Sequence, residues 1–168
     1  MHKDVSLSAP PPRRIGAVGI IRDYEGRVLL VDPSYKHGWI LPGGGAHQGE
    51  CPHAAVTREV REEVGLELYP RRLLVVDYVP ENPKDDVREG FNFVFEMGIV
   101  GHDAPKLVNS QELSGIQWAT SDDLPRLTLD DQHRRIREAL RVIEGTSSIH
   151  YLVHGARVCV NDSRRPIT

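Results

Sequence analysis

The sequence predicts one domain of mixed α/β (α+β) structure, and three observations support that class. The length of 168 residues fits a single domain. Runs rich in β-branched residues alternate with two segments whose apolar residues recur at helical spacing. Hydrophobic residues form 39% of the chain and charged residues 27%, so the chain can build one sizeable core and is not disordered throughout.

The first element predicted is a β-hairpin. Residues 1–12 end in three prolines and carry no apolar periodicity, so we expect a flexible N-terminal tail. The β-rich runs 15–21 and 27–31 flank a segment from Asp23 to Gly26, and both of these residues favour turns. An antiparallel pairing of the two runs is therefore expected.

A glycine-rich turn and a helix follow the hairpin. Residues 43–45 are consecutive glycines, which can adopt positive φ or bring the backbone close to a ligand. Cys51 precedes Pro52, a residue favoured at the first position of a helix, and Gly65 provides a normal stop. The helix is predicted between these two signals.

The later elements are predicted by the same kinds of signal. In order, they are strand-like runs at 66–79, interrupted at Pro70, and at 91–100, a short strand at 116–119, a helix at 130–144, and strands at 149–153 and 157–160. The second helix is amphipathic and ends at Gly145. The last two strands predict a small hairpin in a C-terminal extension, residues 146–168, at either a sheet edge or a dimer interface.

Charge and composition limit the partners of the protein. The formal net charge is −3, so no overall basic excess exists to bind the phosphates of long nucleic acids. No apolar run approaches the roughly 18 residues that span a membrane, and the N-terminus lacks the apolar core of a secretory signal. Cys51 and Cys159 form no metal-ligand spacing. We expect a cytoplasmic protein with reduced thiols and neither a membrane nor a long nucleic acid as partner.

Three carboxylates share one arc of the first helix. At about 100° per residue, Glu62 and Glu63 fall about 60° to one side of Glu59 and about 40° to the other. Like charges at this spacing repel and destabilise an isolated helix. A hard divalent cation such as Mg²⁺, which prefers carboxylate oxygen, would offset the repulsion. A solvated acidic face explains the same pattern, so the helix alone leaves both interpretations open.

The residues around this arc form a longer pattern. It reads Gly44, five residues, Glu50, seven residues, Arg58-Glu59-Val60, one residue, Glu62-Glu63, one residue, Gly65-Leu66. This arrangement resembles the Nudix box at every fixed position, and a glycine turn that opens a helix is the context that such a motif requires. The likeness extends more loosely along the chain, so residues 13–145 are the expected Nudix hydrolase domain.

The resemblance implies a fold, a reaction and a metal. The fold is an α/β/α sandwich around a mixed β-sheet, and the reaction is hydrolysis of a nucleoside diphosphate linked to another group, with Mg²⁺ or Mn²⁺. In this family the helix carboxylates and a backbone carbonyl hold the metal, at positions that are Glu59, Glu62, Glu63 and Gly43 here. Glu50 and Arg58 resemble the family's supporting pair, in which a guanidinium fixes a carboxylate bidentately.

The proton acceptor has more than one candidate. Water attack at phosphorus is the implied step, because metals lower the pKa of bound water and neutralise the phosphates. A glutamate of the box could accept the proton. Glu112 resembles the family's frequent additional acidic residue and is the other candidate, as base or outer metal ligand.

Residues before the box resemble the branch that cleaves nucleoside triphosphates to a monophosphate and pyrophosphate. Trp39, Leu41-Pro42-Gly43-Gly44 and Gly49-Glu50 carry this likeness. Many such enzymes have a lysine directly after the paired glycines, where this chain has Gly45. Basic residues that could replace that phosphate contact are Arg27, Lys36 and Arg88, and the other expected substrate contacts are Trp39, Gly44 and Asn92.

Two further functions remain open. One is an ADP-ribose or nucleotide-sugar pyrophosphatase, although the prolines after the box do not match the ADP-ribose signature cleanly. The other is a sensor that binds a nucleotide without turnover. The intact Glu59, Glu62 and Glu63 argue against a sensor, since a binding module can lose these ligands.

Overall fold

The computed structural model describes residues 11–85, 87–145 and 148–158. Its elements are β1 Arg14–Arg22, β2 Val28–Pro33, β3 Gly43–Gly45, α1 Pro52–Val64, β4 Arg72–Val79, β5 Gly90–Ile99, β6 Leu113–Ala119, α2 Leu124–Leu127, α3 Asp130–Glu144, β7 His150–Val153 and β8 Ala156–Arg157. The strands form one mixed sheet in the order β6-β2-β1-β5-β4-β7-β8, with β3 paired to β1. None of the helices in these ranges has the length and apolarity that spanning a membrane requires.

The sheet carries helices on both faces, which confirms the expected sandwich. Alternate residues of each strand point to opposite faces, so neighbours in sequence enter different cores. In β1, Ile21 packs in the core that includes Val56 and Val60 of α1. Ile20 packs instead in the core that includes Ile136 and Ala139 of α3. We name the two surfaces of the sheet the α1 face and the α3 face.

The hairpin and both long helices agree with their predictions. β1 and β2 pair antiparallel around the turn, with Arg22 opposite Val28. Helix α1 starts after Cys51 and ends at Gly65, whose φ of 68° and ψ of 17° are left-handed. Helix α3 covers the predicted residues.

The strand predicted from residue 66 begins later, at β4. Leu66 is buried, and Leu68 packs against the same α1-face core, so their apolar character serves packing beside α1 instead of strand pairing. Pro70 has no backbone N–H to donate. Two other features differ from the predictions: the glycines at 43–45 form the short strand β3, and β6 begins three residues earlier than residue 116.

The segment after α3 adds two strands to the sheet beside β4. β7 pairs parallel with β4, and β8 pairs antiparallel with β7. Buried polar contacts attach this segment to α3: His150 Nδ1 lies 3.0 Å from Glu138 Oε2. Cys159, the end of the strand predicted at 157–160 and most of the predicted tail lie outside the described residues.

Candidate active site

The glycine turn lies against the middle of the sheet. Gly43 and Gly44 in β3 pair with Val18 and Ala17 of β1. Gly43 has a φ of 136°, and a Cβ on it would collide with the Ala17 carbonyl oxygen, so only glycine fits there. Its N–H donates to Glu63 Oε2 at 2.8 Å. The turn therefore fixes one carboxylate of α1 directly.

Gly44 makes room for a second carboxylate. A Cβ at Gly44 would lie 2.5 Å from Glu59 Oε1 and 2.6 Å from its Cδ. At Gly45 the space is open, with nothing within 4 Å of an added Cβ. Neither glycine has a positive φ. Gly44 is thus required by the position of the Glu59 carboxylate and not by its own backbone conformation.

Arg58 connects the loop before α1 to the acidic arc. Its Nε and Nη2 donate to the two carboxylate oxygens of Glu50, each at 3.0 Å. Its Nη1 donates to Glu59 Oε1 at 2.9 Å and to Glu62 Oε2 at 3.2 Å. These hydrogen bonds from Arg58, with one from the His47 N–H, lower the pKa of Glu50 to about 2.

Glu63 is the buried member of the arc, at 7% exposure. Burial raises its pKa to about 8, against the hydrogen bond from Gly43, and the charges of Glu59 and Glu112 raise it further. The phenol of Tyr35, in the turn after β2, has a raised pKa through burial and the charges of the same glutamates. Glu112, directly before β6, is therefore close enough to the arc for its charge to act on Glu63.

The chemistry of these donors fits a divalent cation. Within the described ranges, no three acidic, histidine or cysteine side chains already converge on one point that could hold a metal. Arg58 holds Glu59 and Glu62, and Glu63 is turned to the Gly43 N–H. The side chains of Glu59, Glu62 and Glu63 offer carboxylate oxygens on one helical arc, and hard cations select such oxygens. The residues therefore fit the metal by the chemistry of their oxygens.

The remaining predicted site residues are not all in this cluster. Arg27 lies at the hairpin turn, at the opposite end of β1 from β3, where its Nε contacts Asp23 Oδ2 at 2.6 Å and its Nη2 contacts Glu25 at 2.8 Å. The structure therefore does not bring Arg27 to the glutamates of the arc. Its charge is instead neutralised by these ion pairs. Arg88 is exposed in the loop before β5.

Trp39 and Asn92 lie on the α3 face. Trp39 packs against the α3-face core, and its backbone N–H donates to the Leu127 carbonyl at 3.0 Å. Asn92, in β5, accepts a hydrogen bond from Arg14 Nη1 at 2.9 Å. Sequence reasoning did not select Arg14. The contact joins residues 78 positions apart, and only the register between β1 and β5 reveals it.

Lys36 interacts electrostatically with charges of both groups. Burial of its ammonium among protein atoms lowers its pKa, even though the residue as a whole stays accessible to solvent. Its charge interacts with Glu63 of the arc and with Arg14 on the α3 face. Its Nζ lies 5.6 Å from the centre of the Tyr35 ring. This interaction with Glu63 favours Lys36 over Arg27, which is paired with Asp23, as the phosphate contact.

Comparisons with known proteins agree with this geometry. A family model described as NUDIX domain matches residues 12–140. A MutT-like protein of Streptomyces ambofaciens is 26% identical over 140 residues, which cover 83% of this chain and 85% of that protein. The crystal structure of a MutT protein from Methanosarcina mazei Go1 aligns with a TM-score of 0.65 at 26% identity, covering 82% of this chain and 97% of that one. A UDP-X diphosphatase structure aligns with a TM-score of 0.68 at 23% identity, covering 86% and 68%, and supports the fold alone.

Proposed function

Since the chain belongs to the Nudix family and is a Nudix hydrolase, we propose that it cleaves a ribo- or deoxyribonucleoside triphosphate to the monophosphate and pyrophosphate, with Mg²⁺. Membership supports pyrophosphohydrolase activity on nucleotide-linked substrates and use of a divalent metal. The observation that carries the proposal is the carboxylate arc, whose side chains are held by Arg58 and the glycine turn.

Each residue of the arc has a proposed role. Glu59, Glu62, Glu63 and the Gly43 carbonyl are the proposed metal ligands. When bound, the metal would neutralise the phosphates and lower the pKa of the attacking water. Arg58 orients two of the ligands, and Glu50 in turn fixes Arg58 through both carboxylate oxygens. Glu50 and Arg58 are therefore positioning residues.

Glu112 is the proposed proton acceptor. Its charge acts on Glu63 of the arc. Hydrogen bonds from Asn109 Nδ2 to Glu112 Oε2, at 3.0 Å, and from the Glu112 N–H to Asn109 Oδ1, at 3.3 Å, hold the side chain beside the backbone. Glu112 is exposed, so water can reach its carboxylate, which would accept a proton from the water that attacks phosphorus.

The proposed substrate contacts come from residues outside the carboxylate arc. Many triphosphate-cleaving relatives have a lysine at the position of Gly45, and in this chain Lys36 would contact the phosphates in its place. Gly44, which has no side chain, is a proposed phosphate contact through its backbone. Trp39 and Asn92 would contact the nucleoside on the α3 face, and Arg88 remains a candidate from the loop before β5.

A substrate panel tests this function. The protein is incubated with nucleoside triphosphates, ADP-ribose and nucleotide sugars, with Mg²⁺ or with a chelator. We expect pyrophosphate and a nucleoside monophosphate from triphosphates, and no turnover with the chelator. Release of orthophosphate alone, or preference for a sugar diphosphate, contradicts the substrate assignment. Tight nucleotide binding without any product would instead support the sensor.

A further inference from the structure

Strand β6 forms one edge of the sheet, and its outer side is unpaired. In the described sheet β6 is a terminal strand, with β2 as its neighbour. The direction of its backbone groups follows from β2. Val31 of β2 exchanges two backbone hydrogen bonds with Ile40, of 2.9 and 3.0 Å, on the side away from β6. Ile116 lies opposite Val31 in β6, so this pair is not hydrogen-bonded and the N–H and C=O of Ile116 point outward.

The same alternation fixes the other backbone groups of β6. Trp118 lies two residues after Ile116, so its N–H and C=O also point outward. Gly115, Gln117 and Ala119 alternate with these two residues and direct their backbone groups to β2. Within the described ranges, no residue forms a backbone hydrogen bond with the outward groups of Ile116 or Trp118. The edge therefore presents unpaired donors and acceptors at a spacing of two residues.

The sequence of β6 does not protect this edge. Natural edge strands avoid pairing with other chains through charged side chains, proline, bulges or a very short length. β6 has seven residues, Leu-Ser-Gly-Ile-Gln-Trp-Ala, and none is charged or a proline. Its register shift lies near its first residues, opposite Asp32 and Pro33. At the other end of the described sheet, β8 has only two residues and one is Arg157. The outer side of β6 is thus suited to pairing with another strand.

The side chains beside the open edge already have fixed positions. Ile116 and Trp118 both pack against the core of the α1 face. Trp118 Nε1 donates to the His102 carbonyl at 2.9 Å, and the indole ring stacks on the His102 ring. Because contacts within the chain order these side chains, pairing with a second strand costs little further side-chain entropy.

We propose that β6 pairs antiparallel with β6 of a second copy of this chain, across a two-fold axis at Gln117. In this register Ile116 lies opposite the partner's Trp118, and Trp118 lies opposite the partner's Ile116, as a two-fold interface requires. Each opposed pair joins outward N–H and C=O groups, so all of these groups become hydrogen-bonded. A β-branched residue opposite an aromatic residue is also a favourable cross-strand pair. The strand carries no charge that would repel its copy.

This register uses the whole of the open edge. It overlaps residues 115–119 of one copy completely with the same residues of the other. The pairing also covers both β6 edges at once, so it closes at a dimer and does not continue into a fibre. An unrelated strand could use the same backbone groups, but it would lack the reciprocal match of Ile116 with Trp118.

A charge exchange at the axis tests both the partner and the register. Gln117 would face the partner's Gln117, with Cβ atoms about 4.5–5.5 Å apart. In sedimentation equilibrium, the wild-type chain of 18.8 kDa should pass from monomer to dimer over micromolar concentrations. Gln117→Lys and Gln117→Glu each place like charges together and should raise the dimer Kd at least about tenfold. An equimolar mixture of the two variants should dimerise about as tightly as wild type. Gln132→Lys, which makes the same charge change on α3, is the matched control and should leave the Kd unchanged.

Amide hydrogen exchange tests the interface in the wild-type protein, so it serves even if a variant does not fold. The amides of Ile116 and Trp118 should exchange rapidly in dilute protein and become protected at concentrations where the dimer forms. The amides of Gly115 and Gln117, which bond to β2, should be protected at both concentrations. A protein that stays monomeric up to about 1 mM overturns the inference. A dimer that tolerates both charge variants overturns it too, as does rapid exchange of the Ile116 and Trp118 amides in the dimer. Neither measurement uses turnover, so the result is independent of the proposed function.

Discussion

Alanine at Gly44 tests whether the position of the Glu59 carboxylate controls turnover. The new Cβ would lie 2.5 Å from Glu59 Oε1, and ordinary contact begins at 3.4 Å, so the carboxylate must retreat by about 0.9 Å. A displacement of about 1 Å in a catalytic group can cost about a hundredfold in rate. We therefore expect kcat of Gly44→Ala to fall about a hundredfold, which corresponds to about 2.7 kcal/mol in the barrier.

Folding should change little in this variant. Gly44 has no positive φ, so alanine is compatible with its backbone. Because alanine lowers the conformational entropy of the unfolded chain, it should stabilise the fold by about 0.4–1 kcal/mol. Against this, the partly buried hydrogen bond from Arg58 to Glu59 is weakened, at a cost of about 0.5–1.5 kcal/mol. The two effects nearly cancel, so urea unfolding should give a free energy within about 1 kcal/mol of wild type.

The neighbouring glycines supply one control that should change nothing and one that should lose stability. Gly45→Ala meets nothing within 4 Å and should keep both turnover and stability. Gly43→Ala combines a φ that suits only glycine with a backbone collision against β1. It should lose about 2–6 kcal/mol of unfolding free energy. Near-normal turnover in folded Gly44→Ala, or an equal loss in Gly45→Ala, would refute the reasoning.

Three further predictions concern charges. Glu62→Gln should keep the fold but lower turnover a hundredfold or more at saturating Mg²⁺, on the scale of several kcal/mol of metal charge stabilisation. Exposed Glu67→Gln should leave turnover unchanged. Unfolding of Glu62→Gln would instead show that the Glu62 carboxylate has a structural role. Because the pKa of Glu50 is lowered from 4.5 to about 2, its stabilising effect is complete above pH 4.5 and is lost as the pH falls through about 2. The difference in unfolding free energy between wild type and Glu50→Gln should therefore shrink by more than half from about pH 6 to about pH 3, and a constant difference contradicts the Arg58 pairing. Asp77→Ala removes the 2.7 Å partner of buried Arg135, which keeps only the longer contact to Asp131 at 3.6 Å. It should lose about 3–5 kcal/mol by urea unfolding, against at most about 1 kcal/mol for exposed Arg126→Ala, and equal small losses would show that the buried pair is not needed.

The sequence was sufficient for features that depend on local signals. The helix α1 starts and ends at residues whose type dictates a helix boundary, Pro52 and Gly65, and its acidic arc follows from helical geometry alone. The apolar run from Leu66 misled the strand prediction, because a residue buried beside a helix end looks like a strand residue in sequence. The ion pairs of Arg27 at the hairpin turn could not be predicted from the sequence, since they depend on folded geometry.

The contact of Arg14 with Asn92, which could not be predicted from the sequence, lies on the other flank of β1. β3 and its carboxylates pair with one edge of this strand, and β5 with Asn92 pairs with the other. The carboxylate side is encoded within about one helix and its preceding loop, so its spacing is visible in the chain. The Arg14–Asn92 side depends on a parallel pairing between distant segments, which leaves no local spacing to detect. Because the two groups share β1 but no hydrogen-bond partner, a substitution at Arg14 should leave the carboxylate geometry at Gly43 and Gly44 in place.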